Sequence, residues 1–438
     1  MVGTTGFEPA TPTTPLWCAT RLRHVPFNHR QRPRVAGGKV NEVVPKSSSY
    51  FRSVSGARKT ALGPEIVDLG SQVFRLNLIL CHAACLMSEE RIPVAVVGAS
   101  GYTGQELLRL LVMHPRVDLV AVTSRQEEGR KLAEVFPRLR RAKGADSLAF
   151  MHPDVEAIVA TGAKVAFLAL PHGLASEYAV PLLERGLKVI DLSADFRLRD
   201  PEVFEEFYGS AHPAPDLLGS AVYGLPEFYR EEITRANLIA SPGCYPTSIL
   251  VPLVPLLEQK LIDPASIVVS SLSGVSGAGK KADVSLLFTE VNESIRAYGA
   301  PKHRHLSEIE QELTVAAGDR VKISFVPHLM PITAGIATTI FASIEGATAE
   351  VSEKVSETYA ERYRESTFVR VLGEGKFADT KHVVGTNFVD VGWVVDERTG
   401  RLILSSAEDN LGKGAGSQAI QSFNLVCGLP EECGLLHF

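Results

Sequence analysis

Short, nearly all-apolar runs recur through the first half of the chain after residue 90. They occupy residues 92–97, 117–122, 165–170 and 187–190. Runs of this length and composition are typical of parallel strands that are buried on both faces. The first run is followed by a segment that places Leu107, Leu108 and Leu111 on one helical face. The pattern therefore predicts an α/β fold with an open parallel sheet.

The pattern changes in the second half. Strand-like runs dominate between residues 243 and 404, and they predict a mixed α+β domain. The predicted strands are residues 267–272, 321–326, 335–344, 368–372 and 389–395. Among them, an apolar stretch at 248–257 and a run at 308–313 predict helices.

Residues 1–86 show neither pattern. They are rich in Thr, Pro and Arg and carry an excess of basic residues, whereas the rest of the chain is acidic. An organelle transit peptide, a disordered regulatory tail and a translation artefact would each explain such a segment. We expect a spurious extension with the true start at Met87, because Met87 lies shortly before the first strong strand.

Composition narrows the class of function. The 438 residues have a net charge of −5 and are 45% hydrophobic, which is ordinary for a globular protein. The acidic balance argues against a nucleic-acid binder held by a basic surface. No apolar run reaches the length of a membrane span. The cysteines after residue 86 lack metal-binding spacing, so no metal site is predicted.

A glycine-rich turn follows the first predicted strand. Its residues include Gly98, Ser100, Gly101, Tyr102, Thr103 and Gly104. Small residues let the backbone approach a pyrophosphate, and the N-terminus of the following helix supplies N–H groups and positive dipole. The strand–turn–helix context predicts a dinucleotide site, although a plain tight turn fits the G-x-x-G-x-x-G spacing too.

The loops after the later strands supply further candidates. Ser124 and Arg125 stand where an NAD site usually has an acidic residue, and they suit a ribose 2′-phosphate. NADP(H) is therefore the predicted cofactor, with a solvated loop arginine as the alternative. Pro171 to Gly173 and Asp191 to Arg197 are candidate active-site loops. Alternatively, Asp191 or Asp195 only caps a turn.

Cys244 is the candidate nucleophile. It follows Pro242-Gly243, and Pro246 is tolerated in the first turn of a helix, so the thiol is predicted at a helix N-terminus. The helix dipole lowers the pKa of a thiol in that position. The alternative is a buried structural cysteine, which is the usual fate of a single cysteine.

Two histidines are candidates for the acid/base. A thiol beside a nicotinamide suggests attack on an activated acyl carbon followed by hydride transfer, and this chemistry needs a proton carrier near the sulfur. His303 and His305 flank Arg304, and alternation puts both on one side of an extended segment. A basic surface loop is the alternative.

Six motifs occur in a fixed order along the chain. They are Gly-Ala-Ser-Gly-Tyr-Thr-Gly (98–104), Ser-Pro-Gly-Cys-Tyr-Pro-Thr (241–247), Ser-Gly-Val-Ser-Gly-Ala-Gly-Lys (273–280), His-Arg-His (303–305), Pro-His-Leu (327–329) and Asp-Asn-Leu-Gly-Lys-Gly-Ala (409–415). In this combination, residues 90–438 resemble the N-acetyl-γ-glutamyl-phosphate reductase family. The resemblance implies an NADPH-dependent oxidoreductase of arginine biosynthesis. Such an enzyme reduces N-acetyl-L-glutamyl 5-phosphate to the 5-semialdehyde and releases phosphate.

The resemblance also implies roles for individual residues. Cys244 would form a thioester with the acyl group, and His303, with His305 as second choice, would carry the proton. The residues expected to hold the dinucleotide are the glycine loop, Ser124, Arg125, Pro171, Ser276, Gly277 and Asn410. The residues expected to bind the substrate are Arg197, Lys280 and Arg304.

Two interleaved domains are implied as well. A Rossmann-like NADP-binding domain would comprise residues 87–242 and 405–438, with a helix at 415–427 returning to pack on it. Residues 243–404 would form an α+β substrate-binding and dimerisation domain of the semialdehyde dehydrogenase type. We expect a cytoplasmic homodimer or homotetramer that acts on a small acyl phosphate, without nucleic-acid or membrane partners.

Two positions depart from the family pattern. Ala334 replaces an arginine that usually precedes Gly335, and the glycine-rich motif ends in Lys280 where the family usually has arginine. A lysine gives up bidentate anion binding, and Ala334 removes a cation altogether. Anion recognition is then expected to depend on Arg197, Lys280, Lys281 or Arg304.

Other functions compete with the reductase. An aspartate-semialdehyde dehydrogenase would use the same chemistry on a shorter acyl phosphate, and an aminoadipyl-phosphate reductase of lysine biosynthesis would use it on a carrier-bound one. A non-catalytic protein that senses NADP or redox state through Cys244 is the alternative from another class.

Overall fold

The computed structural model describes residues 90–344 and 348–436. The predicted N-terminal extension, residues 1–86, lies outside this part of the chain. The described strands are β1 (Ile92–Val97), β2 (Val117–Thr123), β3 (Phe150–Met151), β4 (Val165–Leu168), β5 (Lys188–Asp191), β6 (Val222–Tyr223), β7 (Leu238–Ala240), β8 (Val268–Gly274), β9 (Arg296–Ala297), β10 (Ser324–Met330), β11 (Ile336–Ser343), β12 (Val369–Glu374), β13 (Val389–Asp396) and β14 (Arg401–Glu408).

The α-helices lie between and around these strands. They are α1 (Tyr102–Met113), α2 (Leu132–Val135), α3 (Val155–Ala160), α4 (Ala175–Glu184), α5 (Pro201–Tyr208), α6 (Pro226–Arg235), α7 (Cys244–Glu258), α8 (Phe288–Val291), α9 (Arg304–Ala317), α10 (Thr348–Arg362) and α11 (Ser417–Val426). Among the described helices, none is both long and apolar enough to cross a bilayer.

The first sheet is parallel throughout and has the strand order β3-β2-β1-β4-β5-β7-β6. Its central strands are the all-apolar runs of the sequence, and the side chains of Val94 to Val97 are fully buried. From β1 the chain adds strands β2 and β3 on one side and then β4 and β5 on the other, so the strand order reverses between β1 and β4. Ligands of doubly wound folds bind at such a reversal. The loops after β1, β2 and β4 are therefore placed at one edge.

The second sheet is mixed and has the order β12-β13-β14-β11-β8-β10-β9. It packs against α7, whose residues from Tyr245 to Leu257 are all buried. This burial explains why α7 is apolar around its whole circumference, unlike a surface helix. The last strand, β14, extends to Glu408 through its pairing with Ile336, so it crosses the predicted domain boundary at residue 405. β10 begins later than predicted, at Ser324.

After β14 the chain returns to the first sheet. The ring of Phe423, on α11, lies 5.7 Å from the ring of Phe167, which belongs to β4. A fully buried ion pair, Lys413 Nζ to Glu227 at 2.7 Å, fixes the turn before α11 against α6. The predicted return of the C-terminal helix thus brings the turn at 409–416 between the two sheets.

Candidate active site

The candidate nucleophile lies at a sharp turn between the two sheets. β7 ends at Ala240, and α7 begins at Cys244 itself, with Gly243 as its N-cap residue. A Cβ on Gly243 would lie only 2.5 Å from His305 Nε2. Gly243 is therefore required for the imidazole of His305 to pack against the peptide that precedes the cysteine.

A buried carboxylate, that of Glu308, holds this turn. Glu308 Oε1 accepts hydrogen bonds from the backbone N–H of Gly243 at 2.8 Å and from Tyr223 Oη at 2.7 Å. Its other oxygen lies 3.4 Å from Arg197 Nη1. Arg197 in turn donates to the carbonyl oxygens of Ser241 at 2.7 Å and Leu192 at 2.9 Å. The loops that follow β5 and β7 are thereby tied to α9.

The structure distinguishes the two candidate histidines. His303 is the N-cap residue of α9, and its Nδ1 accepts a hydrogen bond from the backbone N–H of His305 at 3.1 Å. The ring of His303 packs edge-on against Tyr245, Tyr298 and Phe325. His305 instead reaches the cysteine turn through Gly243. Of the two imidazoles, that of His305 therefore packs on the peptide before Cys244, and the ranking of the two as proton carriers stays a prediction.

Both imidazoles lie in a positive and desolvated environment. Burial lowers the pKa of His303 to about 4, and Arg304 contributes in the same direction. Burial also holds the pKa of His305 well below its usual value, with further lowering by His303, Arg197, His172 and Arg304. Both rings are therefore neutral near pH 7, and a neutral imidazole is able to accept a proton.

The ionisation of Cys244 differs from the prediction. Cys244 retains some solvent access, yet burial raises the pKa of its thiol to about 12. Glu408 raises this pKa further, whereas Arg197 and the backbone N–H of Tyr245 lower it. The influence of the helix N-terminus is present but smaller than that of burial, so the predicted net lowering of the thiol pKa is wrong for this structure.

The glycine turn lines a cleft of about 530 Å³ at the edge of the first sheet. Gly98 has a φ of 82°, and a Cβ there would lie 2.6 Å from the carbonyl oxygen of Ala169. A Cβ on Gly104 would approach the backbone of Ala99 equally closely. A Cβ on Gly101 would meet no described atom within 4 Å. The first and third glycines serve the turn, while the second leaves the helix N-terminus open to a ligand.

The cleft collects most of the predicted cofactor residues. They are Gly98, Ser100, Gly101, Tyr102, Thr103, Gly104, Ser124, Arg125 and Pro171. Ser124 Oγ lies 3.1 Å from Ser100 Oγ and also accepts from the N–H of Gln126 at 3.2 Å. The guanidinium of Arg125 lies 3.5 Å from Tyr178 Oη, and both residues line the cleft. This arrangement suits a dinucleotide with a 2′-phosphate on Arg125.

The other three predicted cofactor residues form a separate group. Asn410 Nδ2 donates to Ser276 Oγ at 2.9 Å, and Asn410 Oδ1 accepts from the N–H of Gly335 at 2.7 Å. A Cβ on Gly277 would lie 3.7 Å from Asn410 Nδ2. Asn410 therefore joins the 274–277 turn to the 332–335 turn. Ser276 lines a neighbouring cavity of about 590 Å³ that shares Tyr102 with the cofactor cleft.

The structure separates the predicted substrate residues. Arg197 is 7% exposed and its three guanidinium nitrogens contact protein oxygens, so it positions the cysteine turn. Lys280 lines the nucleotide cleft, where its Nζ lies 3.5 Å from the carbonyl oxygen of Ser100. Lys281 pairs with Asp283 at 2.9 Å.

Arg304 is exposed and lies over the ring of Tyr208, beside both histidines. Of the predicted set, Arg304 alone is an exposed cation at the histidines.

The acidic residues after β5 have structural roles. Asp195 accepts hydrogen bonds from the N–H groups of Gly173 at 2.7 Å and Ala175 at 3.0 Å, at the start of α4. Asp191 accepts from the N–H and hydroxyl of Ser193. Both carboxylates therefore stabilise the turns in which they lie, as the alternative reading expects.

Comparison with known proteins decides the family. A family model described as "Semialdehyde dehydrogenase, NAD binding domain" matches residues 93–236, and one described as "Semialdehyde dehydrogenase, dimerisation domain" matches residues 244–410. The N-acetyl-gamma-glutamyl-phosphate reductase of Akkermansia muciniphila is 59% identical over 79% of this chain and 99% of that protein. That of Geobacter metallireducens is 51% identical over 78% of this chain and 97% of that protein. The chain belongs to the N-acetyl-γ-glutamyl-phosphate reductase family.

Solved semialdehyde dehydrogenases share the fold of this reductase family member. Aspartate semialdehyde dehydrogenase II from Vibrio cholerae, complexed with ASA, has a TM-score of 0.59 and 18% identity, over 78% of this chain and 99% of that chain. The NADP-bound enzyme from Candida albicans has a TM-score of 0.58 and 15% identity, over 77% of this chain and 100% of that chain. At these identities the likeness establishes the fold alone, and the predicted fold class is confirmed.

Two carboxylates of the reductase site escaped the sequence analysis. Glu308 lies three residues after His305 on α9, and Glu408 ends β14 close to Cys244. Glu308 belongs to a run of acidic residues that looks like the exposed face of a helix. The spacing from His305 is the one available signal, because residues three apart share a helix face.

The position of Arg125 predicts cofactor selectivity. Arg125→Ala removes a charge-assisted contact to a 2′-phosphate, which is worth about 1.5–3 kcal/mol, or about 10- to 100-fold in Kd. We expect this loss for NADPH and little change for NADH in a fluorescence titration. Arg130→Ala is the matched control, because Arg130 is exposed and pairs with Glu127. Equal weakening of both dinucleotides by Arg125→Ala would contradict the assignment.

Proposed function

We propose that the protein reduces N-acetyl-L-glutamyl 5-phosphate to N-acetyl-L-glutamate 5-semialdehyde and phosphate, with NADPH as the reductant. The observation that carries the proposal is the contact of His305 with the Cys244 turn, in a chain that is 59% identical to a named reductase. His305 would then serve as a neutral proton acceptor for the thiol of Cys244, which lies at a helix N-terminus. The nucleotide cleft opens from the same edge of the first sheet.

The cleft residues fit the dinucleotide. The helix N-terminus at Gly101 is open and would face the pyrophosphate, while Arg125 would contact the 2′-phosphate. Lys280 adds a positive charge beside the glycine turn. When bound, NADPH supplies the hydride that converts the acyl group to the aldehyde.

Cys244 and His305 carry out the acyl transfer. The Sγ–H proton passes to the neutral imidazole of His305, and the sulfur electron pair forms a bond to the acyl carbon. The bond between that carbon and the phosphate oxygen breaks, and phosphate leaves as an anion with the bonding pair. The imidazolium then holds the proton that the Cys244 sulfur takes back when the tetrahedral oxyanion collapses to the aldehyde and the C–S bond breaks.

The positive surroundings favour an anionic substrate. The guanidinium groups of Arg304 and Arg197 both lower the pKa of His305, whereas burial lowers the pKa of His172 to about 4 and leaves that ring neutral near pH 7. We assign to Arg304 the contact with a substrate carboxylate or phosphate, since Arg197 is engaged with Glu308. At Ala334, where the family usually has an arginine, the turn packs on Gly274.

The proposed assembly is a cytoplasmic homodimer or homotetramer. The second sheet corresponds to the region matched as a dimerisation domain, residues 244–410. The proposed nucleotide-binding domain is discontinuous, because α11 packs into the apolar core of the first sheet. Residues 87–242 and 405–438 would form this domain, and residues 243–404 the substrate domain, with β14 crossing the boundary between them.

The reverse reaction tests the proposed substrate. With NADP, phosphate and N-acetylglutamate 5-semialdehyde, we expect NADPH formation at 340 nm, and far slower turnover with aspartate 4-semialdehyde. Cys244→Ser should abolish turnover while NADPH binding persists, because it removes only the nucleophile. Turnover with the shorter semialdehyde alone would instead favour an aspartate-semialdehyde dehydrogenase. Undiminished turnover by Cys244→Ser would remove the thioester mechanism.

Asparagine substitutions distinguish the roles of the two histidines. His305→Asn removes the proton acceptor and should lower kcat by about 10²- to 10⁴-fold. Asparagine at position 303 retains a side-chain acceptor for the N-terminus of α9, so His303→Asn should retain most of the activity. Steady-state kinetics with both variants decides between them. A larger loss of kcat in His303→Asn would favour His303 as the proton carrier.

A further inference from the structure

Glu408 is a buried carboxylate that the proposed mechanism does not use. It ends β14 and has no solvent exposure. Neither of its carboxylate oxygens has a hydrogen-bond partner among the described residues. An ionised carboxylate in this state is strongly disfavoured, and burial holds the pKa of Glu408 well above its usual value.

Glu408 lies next to the nucleophile, with only Gly414 between them. A Cβ on Gly414 would lie 2.8 Å from Cys244 Cβ and 3.0 Å from Glu408 Oε1. The absence of a side chain at position 414 therefore lets the two groups approach one another. Pairing of Glu408 with Ile336 fixes the strand end, and the bond from Gly414 N–H to the Asp409 carbonyl at 2.9 Å fixes the turn.

The charges around Glu408 do not offset the cost of burying a negative charge on its carboxylate. The cation that faces it is Lys413, whose Nζ lies 2.7 Å from Glu227 and 2.6 Å from Gln421. Glu227, from α6, and the adjacent Asp409 both oppose a further negative charge. Lys413 is thus already paired, and an ionised Glu408 would add an unpaired buried charge.

The charges around Cys244 complete the environment. Arg197 favours the thiolate, whereas Glu408 and, more weakly, Glu308 oppose it. His305, which contacts the turn at Gly243, is neutral near pH 7. Among these ionisable groups, Glu408 would raise the pKa of the Cys244 thiol most once it ionises.

We propose that Glu408 is a positioning residue for the nucleophile: Cys244 and Glu408 share one buried negative charge, so the thiolate forms only while Glu408 keeps its proton. The inference deepens the proposed function, because it assigns the group that controls the ionisation of the same thiol. While Glu408 is protonated, it does not oppose the ionisation of Cys244, whose pKa is then that of a buried thiol without this neighbouring charge. Once Glu408 ionises, its charge opposes the thiolate, and a further rise in pH gains little reactivity.

The test is the pH dependence of Cys244 alkylation. The full-length protein is treated with iodoacetamide between about pH 6 and pH 10, where thiols ionise, and modified Cys244 is quantified by peptide mass spectrometry. We expect Glu408→Gln to coincide with wild type at the acidic end. It should then rise about tenfold or more above wild type at the alkaline end, which corresponds to about one unit in thiol pKa. Superimposable curves across the whole range would overturn the proposal.

Two further variants separate charge from structure. Glu408→Met removes the charge and the hydrogen-bonding atoms, so it should reproduce the Glu408→Gln shift if charge is the cause. A shift in only one of them would overturn the proposal. Asp390→Asn alters another buried carboxylate, paired with Arg370, and should leave the Cys244 profile unchanged. The alkylation of Cys427 provides an internal reference in every sample.

The assay is independent of the substrate assignment. Alkylation needs neither acyl phosphate nor dinucleotide, so failure of the reverse reaction and failure of this inference are distinguishable. If the Glu408 variants shift the profile but N-acetylglutamate semialdehyde is not oxidised, the substrate is wrong and the charge coupling stands.

Discussion

The carboxylate of Glu308 is the contact on which the geometry of the site depends. It accepts the N–H of Gly243 and faces Arg197, which itself binds the carbonyl oxygens that follow β5 and β7. Glu308 and His305 lie three residues apart on α9 and therefore share a helix face. One helix thus holds the peptide that precedes Cys244 and also carries His305, the proposed proton acceptor. Loss of Glu308 would release the turn and leave Arg197 as an uncompensated buried charge.

Burial keeps the imidazoles and the thiol of the site uncharged in the free protein, although arginine side chains lie nearby. The imidazoles of His303 and His305 have lowered pKa values, and the thiol of Cys244 has a raised one. A neutral thiol beside a neutral imidazole is stable in the free protein and becomes reactive by proton transfer between the two. We propose that the exposed guanidinium of Arg304 attracts the anionic acyl phosphate to this site.

The sequence predicts those elements whose burial is complete. The strands β1, β2, β4 and β5 were predictable because both faces of a parallel sheet are covered and the runs are wholly apolar. β14 was missed because Ser405, Ser406 and Glu408 interrupt its apolar pattern, although all three are buried.

The motifs likewise predicted most of the nucleotide cleft and placed Cys244 at a helix start. They could not rank His303 against His305, because ring orientation depends on Gly243 in another segment. They also could not reveal Glu308 or Glu408 as site residues, because the residue type alone does not indicate whether a carboxylate is buried or exposed. The error in the thiol pKa has the same origin: local sequence indicates the helix dipole, whereas burial is set by the packing of distant segments.

The central claim is that Cys244 carries the acyl group between the phosphate and the hydride. Intact-protein and peptide mass spectrometry of the enzyme, given N-acetylglutamyl phosphate without reduced dinucleotide, tests it most directly. The account predicts one N-acetylglutamyl group in thioester linkage on Cys244, which disappears when NADPH is added. An acyl group on another residue, or unmodified Cys244 in a preparation that turns over fully when NADPH is supplied, would contradict it.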